Sequence, residues 1–218
     1  MKNLVKNFLT DIDQKKIIDS VKEVEQYTSG EIVPMVVSCS YHYPMSDVIG
    51  GFALALPFSL VLTNFIGGWL WIGTQNMWLF LGIITILFIL FHWIVKHVLW
   101  LKRLFISKRE IDEEVEEAAL IAFFEEGLYG TCDKTGVLIF ISLFEHRVWV
   151  LADKGINEKV SKMQWDKIVN IILEGIKKNS QSDAICHAIK EVGEILKDHF
   201  PIRTDDRDEL KNLIIEED

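Results

Sequence analysis

Between Asp47 and Lys96 the chain runs for 48 residues without an Asp, Glu, Lys or Arg. Nothing else in the sequence restricts the fold as strongly. An uncharged run of this length must be kept from water, and a bilayer core takes about 20 residues per helix. The run divides into two spans, Val48 to Phe65 and Met77 to Val95, inside a transmembrane hairpin expected over residues 46–101. Gly67, Gly68, Gly73, Thr74, Gln75 and Asn76 supply turn chemistry between them, and Trp69, Trp71 and Trp78 suit a boundary between water and lipid. Pro57 does not oppose this reading, since membrane helices tolerate proline. The alternative is a buried soluble hairpin, but soluble core helices rarely run so long without charge.

Met1 to Leu9 carries Lys2 and Lys6 but no sustained apolar core, so the first span is expected to direct insertion. Lys96, Lys102, Arg103, Lys108 and Arg109 follow the second span, whereas the loop between the spans has no basic residue. By the positive-inside bias the loop lies outside, and both termini and the soluble domain are cytoplasmic. His92, inside the second span, is a proton or ligand candidate by its depth, but its nearness to the cytosolic end favours snorkelling to the interface.

The formal net charge of −9 excludes nucleic acid as a natural partner, because phosphates would be repelled. Cys39, Cys132 and Cys186 are scattered without a CxxC pair, so they read as free thiols and not as a zinc site.

Ahead of the hairpin, Ile17, Val21 and Val24 recur at helical spacing, and "EIVPMVV" from Glu31 reads as a strand. A lone strand cannot satisfy its own backbone, so partners must lie elsewhere. After the hairpin, Ser107 to Glu110 has the capping-box form and opens a helix with Ile111, Val115, Ala118 and Ala122 on one face. Glu113, Glu114, Glu116 and Glu117 mostly fall on its other, solvated side. Gly136 to Ser142 is an unbroken apolar run of the kind buried on both faces; Arg147 to Ala152 is similar, with a short turn between. Two further helical stripes follow, Trp165, Ile168, Ile172 and Ile176, then Ile185, Ala188, Val192 and Ile195.

The expected fold is α/β: a small mixed β-sheet flanked by helices on both faces, interrupted by the inserted two-helix transmembrane hairpin. Residues 1–40 and 105–202 form the discontinuous domain, and 203–218 an acidic C-terminal tail, peripheral or partly ordered. The first two strands are joined by a crossover and so are parallel, while the third is antiparallel. Pro34 cannot donate to a ladder, which places the first strand at an edge, in the order one, two, three.

That topology brings Glu31, Asp133, Thr135 and Asp153 to one end of the sheet, the end facing away from the bilayer, since a seven-residue strand spans about 23 Å. Carboxylates at Glu31, Asp133 and Asp153, with turns at Gly30, Gly136 and Gly155, suit a hard divalent cation such as Ca2+ or Mg2+. Acidic residues also cap helices and solubilise loops, and open α/β sheets usually bind ligands at the opposite rim. "CDKTG" from Cys132 has the letters of the phosphorylated aspartate motif of P-type pumps, but there the strand precedes the aspartate and here it follows. No GxSxG, Walker A, GxGxxG or HExxH pattern is present.

With "TSGEIV" from Thr28, "KTGVLIFISLFEHRVWVLADKGI" from Lys134 and "HFP" from His199, the sequence resembles the TPM domain family, in its bacterial subset with two transmembrane helices inside the domain. The resemblance implies an α/β sandwich, a multi-pass protein of the bacterial inner membrane, and a LemA-like membrane protein as partner. Acid phosphatase activity and divalent-cation binding are associated with plant members, and their acidic positions map to Glu31 and Asp153. Two functions follow. The first is a non-enzymatic binding or assembly module holding a divalent cation, with Glu31, Thr135 and Gly155 as binding residues. The alternative is a metal-dependent acid phosphatase acting on phosphate monoesters. No nucleophile and base pair is recognisable, and Lys134 and Lys154 are the rim's nearby cations, a weak match to a dianionic monoester.

Overall fold

The computed structural model describes residues 4–71, 73, 76–131, 134–202 and 210–216. The chain forms two compact units, Met1–Tyr41 with Asp112–Asp218, and His42–Ile111.

The first unit begins with a short helix, α1 (Leu4–Phe8). Thr10 then caps α2 (Asp11–Glu25): its hydroxyl accepts from the Asp13 N–H at 3.2 Å, and the Asp13 carboxylate accepts from the Thr10 N–H at 3.0 Å. This reciprocal box satisfies two N–H groups that a helix start leaves open. Strand β1 (Glu31–Val37) follows, buried along its whole length.

The second unit holds α3 (Pro44–Trp69), α4 (Met77–His97) and α5 (Leu99–Arg103). The first two are long and apolar enough to cross a membrane. Large side chains such as Phe65, Ile86 and Ile89 are well over half exposed on them, which a soluble core helix would not allow. One side of α3 is different. Gly51, Ala55, Ser59, Thr63 and Gly67 recur every fourth residue, and the last four of these are buried with Gly51. A Cβ on Gly51 would stand 3.3 Å from the His92 backbone, so small residues let the two helices close up without a hydrophobic driving force. His92 is partly buried, with its Nδ1 enclosed. At the base of this unit Lys102 and Asp47 form a buried ion pair at 3.1 Å, and the ammonium also donates to the His42 carbonyl at 2.6 Å.

Helix α6 (Lys108–Glu125) starts where the Ser107 hydroxyl accepts from the Glu110 N–H at 3.1 Å. It ends before Gly127, whose φ of +78° is the left-handed turn that glycine tolerates best. After a single tight turn at Leu128–Gly130 come β2 (Gly136–Ser142), β3 (Arg147–Ala152), α7 (Lys154–Asn157), α8 (Lys162–Lys177), α9 (Gln181–His199) and β4 (Ile214–Glu216).

The sheet runs β3-β2-β1-β4. β1 and β2 are parallel, pairing Glu31 with Gly136 through Val37 with Ser142; β2 and β3 are antiparallel, pairing Val137 with Ala152 through Ser142 with Arg147. One face, with Ile32, Val36, Val137, Ile139 and Ile141, packs on α2, α8 and α9 to make the core. The opposite face, with Val33, Met35, Leu138 and Phe140, is buried as well.

One expectation is corrected. β1 is not an edge strand, because β4, drawn from the C-terminal tail, pairs parallel with Met35–Val37. The physical reason for Pro34 survives in another form. In β1 the odd residues bond β2, as Glu31 N–H does to Thr135, and the even ones face β4, as Ser38 N–H does to Glu216. Pro34 thus turns its missing donor toward β4, and that ladder begins one residue beyond it.

Candidate functional site

The register carries Glu31, Gly136 and Asp153 to one row at the end of the sheet. Glu31 pairs with Gly136, and the Asp153 N–H donates to the Gly136 carbonyl at 2.9 Å. Paired residues project to the same face, so both carboxylates rise beside a central position that has no side chain. Gly136 is required there, since a Cβ would stand 2.5 Å from the Leu128 carbonyl oxygen.

Glu31 is 7% exposed. Asp153 is half-buried and caps α7, one carboxylate oxygen accepting from the Lys154 N–H at 2.5 Å. Its other oxygen, Oδ2, is buried with no hydrogen-bond partner among the described residues. A buried carboxylate oxygen without a donor is costly, which makes this atom the most cation-hungry point of the row.

Thr135 has a different part. Its hydroxyl donates to the Ser29 carbonyl at 2.9 Å, its N–H to the Thr131 hydroxyl at 3.0 Å, and its carbonyl accepts from Glu31 at 3.2 Å. These bonds tie the starts of β1 and β2 together. Gly155 lies in the first turn of α7 and is partly buried, and Asp133 and Cys132 lie outside the described residues. Among the described residues, no three His, Cys, Asp or Glu side chains stand close enough to hold a metal ion. Glu31 and Asp153 fit a hard cation in donor type, but such ions take about six to eight oxygens, so the row supplies part of a site. The nearby Lys154 is exposed and lies 3.9 Å from Glu158.

The opposite rim carries a residue that the sequence reading passed over as part of a turn. Glu145, between β2 and β3, is fully buried. Its carboxylate accepts from the Ser142 hydroxyl, from the Ser40 N–H at 3.0 Å and from the Cys39 thiol at 3.4 Å. An acidic residue closing an unbroken apolar run was the available signal. Cys39 and Cys186 are both buried. Burial pushes the Cys186 thiol upward, away from the reactive thiolate.

The TPM domain family matches residues 100–195. No curated protein matches the chain. Among solved structures it is similar to that of BA42 protein from the psychrophilic bacteria Bizionia argentinensis sp. nov., determined by NMR, with a TM-score of 0.59, 21% identity and 96% of each chain covered. A likeness at that identity is one of fold.

Proposed function

From a chain that carries a TPM domain together with two helices long and apolar enough to cross a membrane, we propose a membrane-attached, non-enzymatic binding module. In this reading the hairpin anchors the chain. The α/β unit holds Ca2+ or Mg2+ through Glu31 and Asp153, with Asp133 as third carboxylate, and docks a partner protein. The observation that carries the cation is the buried Oδ2 of Asp153, without a hydrogen-bond partner among the described residues, on the same face as buried Glu31. Against turnover stands the cation supply: a phosphate monoester is dianionic, and the lysines of this rim offer no bidentate clamp of the kind arginine gives.

Calorimetric titration of the purified protein with each cation tests the site. Heat of binding is expected for wild type and not for Asp153→Ala; equal heats would overturn the assignment. A monoester assay run on the same pair is expected to give no turnover above the variant's level, and turnover that depends on Asp153 would replace the binding module with the phosphatase.

For orientation we propose an inner-membrane protein with both termini and the α/β unit in the cytoplasm. The support is the basic flank after the second span. Lys102 drops out of that count because its charge is spent on Asp47, but Lys96, Lys108 and the arginines remain. An engineered Thr74→Cys between the spans, with the native cysteines replaced, is expected to react with an impermeant maleimide added to intact cells. Reaction only after lysis would invert the topology.

A further inference from the structure

We propose that the outward stripe of α6 is a docking surface for a basic amphipathic segment of a partner protein. The proposal rests on the binding-module reading and names the chemistry of its partner. Leu120, Ile121 and Phe124 fall on one side of α6, opposite buried Val115, Ala119 and Ala122, and are 48%, 48% and 53% exposed. Tyr129, from the turn after α6, is 56% exposed and lies with its ring centroid 5.4 Å from that of Phe124. Contiguous exposed aliphatic and aromatic side chains are uncommon on a soluble surface and mark interaction sites. Aromatic rings already in contact lose little conformational freedom on binding, which suits them as anchors.

The charge around the patch selects the occupant. Glu116 and Glu117 stand one helical turn before Leu120 and Ile121, and Glu125 stands beside Phe124. None of the three forms an ion pair among the described residues, whereas Asp112 on the same helix meets Arg147, and Glu126 just beyond it meets Lys211. An anionic cytoplasmic leaflet would be repelled by these carboxylates. A second copy docking by the same face would bring two such sets together. A helix with apolar residues on one side and Lys or Arg at its margins satisfies both halves of the surface.

The test uses the full chain in phosphatidylcholine nanodiscs and a fluorescent amphipathic peptide of leucine and lysine, read by anisotropy against empty discs. Binding above the empty-disc level is expected, weakened about tenfold by Leu120→Ser with Phe124→Ser, the size of loss expected for anchor residues. Glu116→Lys with Glu117→Lys is expected to weaken it also and to admit a leucine and glutamate peptide. Both pairs change exposed side chains, and an unchanged circular dichroism melt confirms that folding is intact. Equal binding by wild type and the Leu120, Phe124 variant overturns the proposal. So does flotation with phosphatidylglycerol vesicles, or dimerisation, that depends on these two residues. Cation titration of the same variant is expected to match wild type, so a failure here is separable from a failure at Asp153.

Discussion

Glu31 and Asp153 stand on one face of the sheet with only Gly136 between them, and the missing side chain at 136 is what brings the Leu128 carbonyl down against the row. Neighbouring strands are about 4.8 Å apart, so the two α-carbons are about 10 Å apart across the three strands. Gly136→Ala would drive a methyl group to 2.5 Å from that backbone oxygen, which no side-chain rotation relieves. A loss of about 2 kcal/mol is expected, in the range for overpacking a filled site. Thermal unfolding of the variant measures it, and an unchanged midpoint would mean that the turn at Leu128 yields freely.

On the proposed reading Asp153 has two duties that one substitution can separate. Its Oδ1 caps α7, and its Oδ2 meets no donor among the described residues. Asn is about as good an N-cap as Asp, so Asp153→Asn is expected to melt within a few tenths of a kcal/mol of wild type while losing cation binding. Asp153→Ala loses the cap too, at a cost of about 1 kcal/mol. Calorimetry and melting curves on both variants check this; a cation heat retained in Asp153→Asn would show that charge at this position is not used.

The carboxylate row was legible because it depends on strand polarity alone. Once β1 and β2 are parallel and β3 returns, Glu31 and Asp153 must share an end, whatever the packing. The unbroken apolar run of β2 gave its limits because a strand buried on both faces has no polar position to blur it. What the sequence hid were contacts set by tertiary partners. β4 is three residues in an acidic tail, too short for a period, and it exists because Met35–Val37 offers an open ladder. Lys102 reads as a flanking charge until Asp47, 55 positions away, is found beside it. Glu145 reads as a turn residue until the polar end of β1 closes over it.

Lys102 and Asp47 are 5% and 9% exposed, so neither charge can fall back on water if the other is removed. Breaking a buried pair from one side costs about 3 to 5 kcal/mol, and replacing both with apolar residues is often neutral. Lys102→Met and Asp47→Leu are each expected to lower the thermal stability of the second unit sharply, and the double variant to recover most of it. A double variant as unstable as the singles would place the value of the pair in the bond to the His42 carbonyl instead.

Acid should weaken the start of α2. The Thr10 hydroxyl and N–H both bond the Asp13 carboxylate and hold its pKa below the ordinary value. A carboxylate depressed in the folded state contributes stability above its unfolded pKa, and that contribution is lost as pH falls through the lower, folded value. Asp13 is largely solvated, so the effect is small and local. Amide exchange in α2 is expected to be faster in Asp13→Ala than in wild type at neutral pH, with the difference shrinking once the Asp13 carboxyl of wild type is protonated. A difference independent of pH would show that the charge of Asp13 is not what supports the cap.

Glu145 joins the carboxyl end of β1 to the end of β2, because a single carboxylate accepts from Ser40, Cys39 and Ser142 at once. Truncation in Glu145→Ala would leave the Ser40 N–H and the Ser142 hydroxyl buried without this acceptor, a penalty of about 1 to 3 kcal/mol. Glu145→Gln keeps one oxygen for Ser40 and presents an amide where Ser142 expects an acceptor, so the hydroxyl must reverse and accept. Its loss is expected to be smaller. Cys39, at 8% exposure, reports on the same junction independently of overall stability. Its modification by a thiol reagent under native conditions should quicken in Glu145→Ala more than in Glu145→Gln. Were Cys39 to react at the wild-type rate in both, the end of β1 would be held by its ladder with Glu216 and not by the carboxylate.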